Sequence, residues 1–351
     1  MRYLVSLLVL LYTATLCNSS YVRKTVVMNN NEIPLVRSIR SLNSRLSDES
    51  LLKDASSALL VSPPWNAPKI IWSLAWKVHQ FMIPILHFAD MTTPKDSFIN
   101  LPVLWWKAIA SQRWGILNDG GIAFDLLPSF TRNIVRFPFC YLFPKLHHQN
   151  VALRTVYLDN ALNSELQNEE EANIIVLGSG YDTRAIRFLQ HNQNHEFFEI
   201  DFPNVIKSKA LMLSRFKARR KILTNDKIPR LMEADLNDLD LVKLRLNSIF
   251  TKEQRKKKTV FLVEAVLMYM NDEKVAPLIE LCKQQALEYG SNKVSFCFAD
   301  RFPNVRLDNP DVEKADVVKF FSNLGLHIKE WRPKPGRARH MGIAAVSRLD
   351  E

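Results

Sequence analysis

Two glycines and a series of spaced acids carry the chemistry of this chain. Gly178 and Gly180 stand in Val176-Leu177-Gly178-Ser179-Gly180-Tyr181-Asp182-Thr183-Arg184, directly behind the apolar run that begins at Ile174. Glycine lets the backbone approach a ligand where any Cβ would collide. Asp201 follows roughly 20 residues later, the distance at which nucleotide-binding folds place an acid for the ribose hydroxyls. A carboxylate suits that task because two vicinal hydroxyls can donate to its two oxygens. Asp235 and Glu264 repeat the arrangement, each an acid at the end of a segment that reads as a strand.

These acids need elements that end where they stand. Ile174 to Leu177 reads as a strand, Asp182 to Asn192 as a helix, and His195 to Asp201 as the next strand. Pro203 fits the first turn of a helix continuing from Asn204 to Arg220, where its missing N–H costs nothing. Arg230 to Ala234 and Thr259 to Val263 read as strands running into Asp235 and Glu264. In a parallel sheet the three acids share one rim, where ligands bind. Nicotinamide dehydrogenases share the first part of this grammar, but their third small residue is here Thr183. Lys293 to Ala299 reads as a fifth strand, and Asp311 to Leu324 as a helix stopped by Gly325. His327 to Trp331 and His340 to Val346 read as two strands joined through Pro335-Gly336. A terminal hairpin on a parallel sheet is characteristic of the S-adenosylmethionine methyltransferase fold. The expected architecture is α/β: a Rossmann-like doubly wound sheet with a C-terminal antiparallel hairpin and an N-terminal helical lid.

Four motifs then carry a family resemblance: VLGSGYDTR (Val176 to Arg184), FFEIDFPNV (Phe197 to Val205), EADLND (Glu233 to Asp238) and VEAVLMYM (Val263 to Met270). In this order and spacing the chain resembles the leucine carboxyl methyltransferase family, with a flavour closest to its bacterial O-methyltransferase branch. The resemblance covers roughly Trp114 to the C-terminus and weakens before Arg154. It implies S-adenosyl-L-methionine as cofactor. On that basis Gly178 and Gly180 pass beside the methionine moiety, and Asp201 holds the ribose. Asp235 accepts from the adenine amino group, and the Leu236 amide donates to a ring nitrogen. Arg154, in a helix from Asn150 to Asn163, pairs with the methionine carboxylate, a bidentate contact that suits a guanidinium. Glu264 lies near the methionine end. Tyr269 stands at the substrate mouth as the candidate catalytic residue.

Plainer roles exist for the same residues. A strand-terminal aspartate often caps the following helix, Arg154 could be a solvated helix residue, and Tyr269 could be core packing. Asp182 and Thr183 read as residues that cap and orient a helix. The run Arg255 to Lys258 reads as a solvated helix end or loop, and no nucleic-acid partner is expected. His147 and His148 have no carboxylate or cysteine at ligand spacing, so no metal is expected and they read as surface or lid residues.

A methyl sulfonium is already an electrophile, so transfer requires chiefly an aligned nucleophile. A carboxylate needs no deprotonation near neutral pH, whereas a phenol or alcohol wants a general base, and no histidine or lysine stands out as one. The expected activity is therefore O-methylation of a carboxylate, or of a hydroxyl, on a small molecule or a protein C-terminus. The segment Pro144 to Asn150 lacks the basic and aromatic stretch of the carboxyl methyltransferase branch, which favours a small metabolite over a phosphatase tail. The rival from another class is a catalytically silent cofactor-binding or membrane-docking protein.

With 351 residues the chain can hold one large α/β domain and an N-terminal extension. The expected segments are a signal-like segment over 1–20, a basic linker over 21–49, a helical lid over 50–149 and the catalytic domain over 150–351. Arg2, the apolar run Tyr3 to Tyr12 and small residues to Ser20 follow the order of a secretory signal. Tyr21 to Arg45 holds five basic residues and one acid, as a transit peptide or a disordered linker does. Entry to the secretory pathway is expected, with secretion or onward delivery to a complex plastid. The net charge of +11 suits acidic partners, a membrane surface or targeting sequence without choosing among them. Lys69 to Met91 and Leu101 to Phe143 are rich in Trp, Phe, Ile and Leu, but Lys77, His79, Lys107 and Arg113 interrupt them. Amphipathic helices over a substrate cleft account for this, with peripheral membrane contact as the competing idea. Cys17, Cys140, Cys282 and Cys297 form no disulfide framework, and the last two are expected to be buried.

Overall fold

The computed structural model describes residues 100–113, 115–136, 145–191, 194–220, 228–287, 293–306, 310–332 and 340–346. The signal-like segment, the basic linker, the lid before Asn100, Cys17, Cys140, the side chain of His147 and the Pro335-Gly336 turn lie outside them.

Five parallel strands form first: β1 (Ala172–Leu177), β2 (Glu196–Asp201), β3 (Arg230–Glu233), β4 (Lys258–Glu264) and β5 (Val294–Asp300). The antiparallel β6 (Leu326–Arg332) and β7 (His340–Val346) complete a seven-stranded sheet in the order β3-β2-β1-β4-β5-β7-β6. The final hairpin inserts β7 between β5 and β6, with Asp300 opposite His340. β1 is buried at every position and β4 at its five inner ones, as strands covered on both faces must be. This is the doubly wound sheet with a terminal hairpin that the sequence predicts.

Helices cover both faces. On one side lie α4 (Lys145–Leu166), α5 (Arg184–His191) and α6 (Pro203–Arg220). Leu158, Leu162, Phe188 and Leu189 pack there against Ile174, Val176 and Leu262. On the other side are α7 (Leu239–Ile249), α8 (Asp272–Leu287) and α9 (Pro310–Ser322), whose Val242, Leu278 and Phe321 join Ile175, Phe261 and Phe298. Cys282 and Cys297 are buried free thiols in this interior, as expected.

Three helices precede the sheet: α1 (Asn100–Gln112), α2 (Ile122–Leu126) and α3 (Ser129–Arg136). Trp105 and Ile109 of α1 and Ile122 of α2 share a buried cluster with Tyr181 of the glycine turn and Met212 and Phe216 of α6. Asp119, itself buried, starts α2 by accepting from the Ala123 amide at 2.8 Å and from Ser111 Oγ at 2.6 Å. The described part of the segment expected to form a lid is thus helical and lies on the α6 side of the sheet, beside the glycine turn. No helix among the described residues is long and apolar enough to cross a membrane.

Two sequence expectations are corrected here. His148 is fully buried against Trp105, with ring centroids 6.3 Å apart, so it is core and not surface. The run Arg255 to Lys258 is solvated, as expected, at Lys256 but not along its length. Arg255 is buried and donates to the Phe250 carbonyl at 2.9 Å. Lys256 pairs with Glu253, Lys257 with Glu171 and Lys258 with Glu165. Acids thus pair with the three lysines, from α4 and from the turns before β1 and β4.

Candidate functional site

The ends of β1, β2, β4 and β5 meet on one rim, as the sequence predicts. Leu177 lies beside Ile200 and Val263, and Glu264 beside Ala299. β1 leaves this rim through Gly178 and Gly180, both with positive φ, 64° and 48°. The Gly178 amide donates to the Ile200 carbonyl at 2.8 Å, folding the turn back over β2. Both glycines are also required by protein neighbours. A Cβ on Gly178 would lie 2.2 Å from Val266 Cγ2, and one on Gly180 would lie 2.8 Å from Asn100 Oδ1 of α1.

Asp201 joins that turn directly. Its Oδ2 accepts from the Gly180 amide at 2.6 Å and its Oδ1 from the Phe202 amide at 2.7 Å. Burial pushes its pKa above the usual carboxylate value, and the two amides and Lys209 pull against that rise. Behind it, two residues back on β2, buried Glu199 pairs with Lys209 of α6 at 2.5 Å. Burial pushes Glu199 up to about 7; Lys209 opposes the rise, and the charges of Asp182 and Asp201 add to it.

Asp235 sits just past β3, where the Ala234 amide donates to the Asp201 carbonyl at 2.9 Å. It does not cap α7. That task falls to Asp238, which accepts from the Leu241 amide at 3.0 Å. Asp235 Oδ1 instead accepts from the Asn237 amide at 2.8 Å, and Oδ2 has no partner among the described residues. Leu236 turns its side chain into the core. The Asn237 side chain then accepts from the Asn271 amide at 3.0 Å, linking this loop to the one after β4.

Beside the glycine turn, charges of both signs are packed away from water. Glu264 Oε1 faces Arg154 Nε at 3.4 Å, and Oε2 faces Arg184 Nη2 at 3.1 Å and Lys107 Nζ at 3.8 Å. Lys107 also lies 3.6 Å from Asp182. Arg184 is fully buried. It bonds Asp159 of α4 at 2.7 Å and grips Asp182, so one guanidinium ties together α4, the glycine turn and β4. Arg187 adds a second cation to Asp159 at 2.5 Å. Burial would raise the pKa values of Glu264 and Asp182, but the surrounding cations hold both below the ordinary range. The same acids push Arg184 further up against its own burial.

Arg154 is therefore neither solvated nor idle. It is 5% exposed, and its terminal nitrogens have no partner among the described residues. Tyr269 is the reverse case. It is 61% exposed on the 3-10 turn Leu267–Tyr269, so it is not core, and among the described residues it forms no hydrogen bond or ion pair with another predicted site residue. Asp182 does orient α5, accepting from the Arg184 amide at 2.9 Å, but it also belongs to the ion cluster. The structure adds Lys107, Asp159, Arg184 and Asp300 to the residues found by sequence. Asp300 offered a signal that was missed, being a further acid behind an apolar run.

Residues 143–283 match the family model described as leucine carboxyl methyltransferase. This segment is similar to that family. It contains all eight predicted site residues, from Arg154 to Tyr269, and the likeness implies S-adenosylmethionine as cofactor. Leucine carboxyl methyltransferase 1 of Candida albicans is 27% identical over 139 residues, covering 34% of this chain and 38% of the relative. The chain thus matches well under half the length of that curated relative. An O-methyltransferase family protein from Burkholderia thailandensis aligns over 58% of this chain and 61% of its own, with 11% identity and a TM-score of 0.37. An N,N-8-amino-8-demethyl-D-riboflavin dimethyltransferase from Streptomyces davawensis aligns over 68% of this chain and 69% of its own, with 14% identity and a TM-score of 0.37. Scores at that level add nothing to the topology established above.

Proposed function

We propose that this chain is an S-adenosylmethionine-dependent O-methyltransferase with a carboxylate as its favoured acceptor. The observation that carries the reading is the buried wall of alternating charge, where Lys107 and Arg154 stand beside Glu264 and Asp182. An amino-acid moiety brings one carboxylate and one ammonium, and this wall offers cations to the first and carboxylates to the second. Arg154 fits the carboxylate best, because its terminal nitrogens have no partner among the described residues. Glu264 and Asp182 stay ionised for the ammonium. Asp201 retains lone pairs for ribose hydroxyls beyond the two amides it accepts, and Asp235 Oδ2 is available to an amino group.

When bound, S-adenosylmethionine supplies an electrophilic methyl group. The chain's own task is then to hold the acceptor in line and exclude water. In this reading Tyr269, exposed on the turn that follows β4, contacts the acceptor as it approaches. A carboxylate acceptor needs no proton removed near neutral pH, in keeping with a reading that assigns no general base. A small-molecule acid or a protein C-terminus both satisfy this chemistry.

Calorimetry with S-adenosylhomocysteine tests the cofactor half, with micromolar-range binding expected for the native protein and none for Asp201→Ala. Labelled S-adenosylmethionine added with native extract tests the acceptor half. A carboxylate product is a methyl ester that releases methanol in mild base, whereas an ether does not. Methyl transfer only to nitrogen or carbon would overturn the O-methyl assignment, and binding without any turnover would favour the catalytically silent alternative.

A further inference from the structure

Beyond Glu264 the chain makes an unusual turn. Ala265 adopts a left-handed φ of 55°, a conformation that a residue with a Cβ takes only under constraint. The turn Leu267–Tyr269 follows at once. The constraint comes from β5. Asp300, fully buried at its end, accepts from the Val266 amide at 2.6 Å, the Leu267 amide at 2.9 Å and the Met268 amide at 3.4 Å. It also accepts from the Arg301 amide at 2.7 Å, and the Ala265 amide donates to the Ala299 carbonyl at 3.1 Å. A single carboxylate thus gathers three successive amides of a neighbouring loop.

What that loop presents gives the arrangement its meaning. At its start is Glu264, held among three cations. Next is Val266, which lies so close to Gly178 that no side chain fits between them. At its end is Tyr269, exposed and therefore without the packing that would fix an aromatic ring in place. The backbone has to position it, and Asp300 holds that backbone.

We propose that Asp300 is a positioning residue, whose carboxylate clamps the Ala265–Tyr269 turn so that Val266 walls the cofactor pocket at Gly178 while Tyr269 is presented to the acceptor. This rests on the cofactor reading above and extends it to a residue that itself touches neither ligand. Asp300→Asn replaces one acceptor oxygen with a donor that faces amide donors, so the turn loses bonds on one side of the clamp. With the clamp weakened, Ala265 relaxes toward right-handed backbone and Val266 leaves Gly178. Glycine at 265 would take the left-handed φ without that tension.

S-adenosylhomocysteine is titrated calorimetrically into the native protein, Asp300→Asn, Ala265→Gly and the double variant. Amide exchange at 266–268 is followed in parallel without ligand. The expected result is about tenfold weaker binding for Asp300→Asn, with much of it restored by adding Ala265→Gly. Faster exchange at the three amides should accompany the loss. Folded Asp300→Asn that binds like the native protein overturns the proposal, as does a loss that Ala265→Gly leaves untouched. Unchanged exchange at 266–268 also overturns it, whatever the ligand does. A native protein that binds no S-adenosylhomocysteine sinks the cofactor reading and this one with it. If Asp300→Asn does not fold, Asp300→Glu replaces it, since one added methylene displaces the same oxygens, and native-like binding by that variant refutes the clamp.

Discussion

Gly178→Ala should be among the most damaging single-methyl changes on this rim, and its cost can be divided into two parts. The first is backbone. Gly178 has φ of 64°, and an alanine held there costs roughly 1–2 kcal/mol. The second is space. The new Cβ would stand 2.2 Å from Val266 Cγ2 and 2.7 Å from Val266 Cβ, whereas carbon atoms rest about 3.5–4.0 Å apart. The turn would have to open by more than an ångström, an overpacking that costs about 1–3 kcal/mol. Together these give roughly 2–5 kcal/mol, a large share of the typical 5–15 kcal/mol of a folded domain. Urea denaturation reads this as a lower midpoint with an unchanged slope. Val266→Ala in the same chain removes the 2.2 Å overlap and leaves the 2.7 Å one. Part of the spatial cost should therefore return, giving a coupling of about 1 kcal/mol between the two sites. Gly180→Ala is the built-in comparison, because its obstruction is the movable tip of Asn100 and its cost should be mainly backbone. Additive effects of Gly178→Ala and Val266→Ala, or a Gly178→Ala cost no larger than that of Gly180→Ala, would refute the reasoning.

The buried charges give two further expectations. Glu199 is raised to about 7 from 4.5, so between those values the folded chain holds a proton that the unfolded chain has released. Its contribution is complete below the unfolded value and declines as pH rises through the folded one, by at most about 1.4 kcal/mol per pH unit. Glu199→Gln should flatten that decline in denaturation series taken between pH 5 and 7, roughly the interval the shift defines; an unchanged slope would count against it. Asp182 and Glu264 act with the opposite sign, stabilising at neutral pH and losing that stabilisation as pH falls. Arg184→Lys keeps a charge but not the fork that reaches Asp159, Asp182 and Glu264 together. Breaking such a buried set should cost about 3–5 kcal/mol in thermal or chemical denaturation. A loss under 1 kcal/mol, about what a surface pair contributes, would show that the cluster is more hydrated than its burial implies.

The strands and their order were legible because they depend on local pattern. The strand-like segments closing on Asp201 and Glu264 mark where parallel strands stop, and the ends of β2 and β4 fall at those residues. β5 shows the limit of such a reading. Stopping it at Ala299 hid Asp300, because an acid that completes a strand looks like the first residue of a loop. Lys107 was recognised only as an interruption in an apolar segment. Nothing local tells that its ammonium lies against Asp182 and Glu264, 75 and 157 positions further along by residue number. Arg184 and Asp159 were hidden for the same reason, since pairing across α4, the glycine turn and β4 is a product of the tertiary fold. His148 erred in the other direction. A histidine pair in a polar stretch suggests surface, yet the α1–α4 packing encloses His148 beside Trp105.

Arg184 also governs how this rim can come apart. Segments anchored only to their neighbours in sequence fray one at a time, and their amides exchange at low cost. Here the glycine turn cannot lift without stranding a guanidinium from α4 and β4 as well. Its amides should therefore exchange only when the sheet itself melts, so that ligand binding at this loop would register as a shift in global, not local, opening.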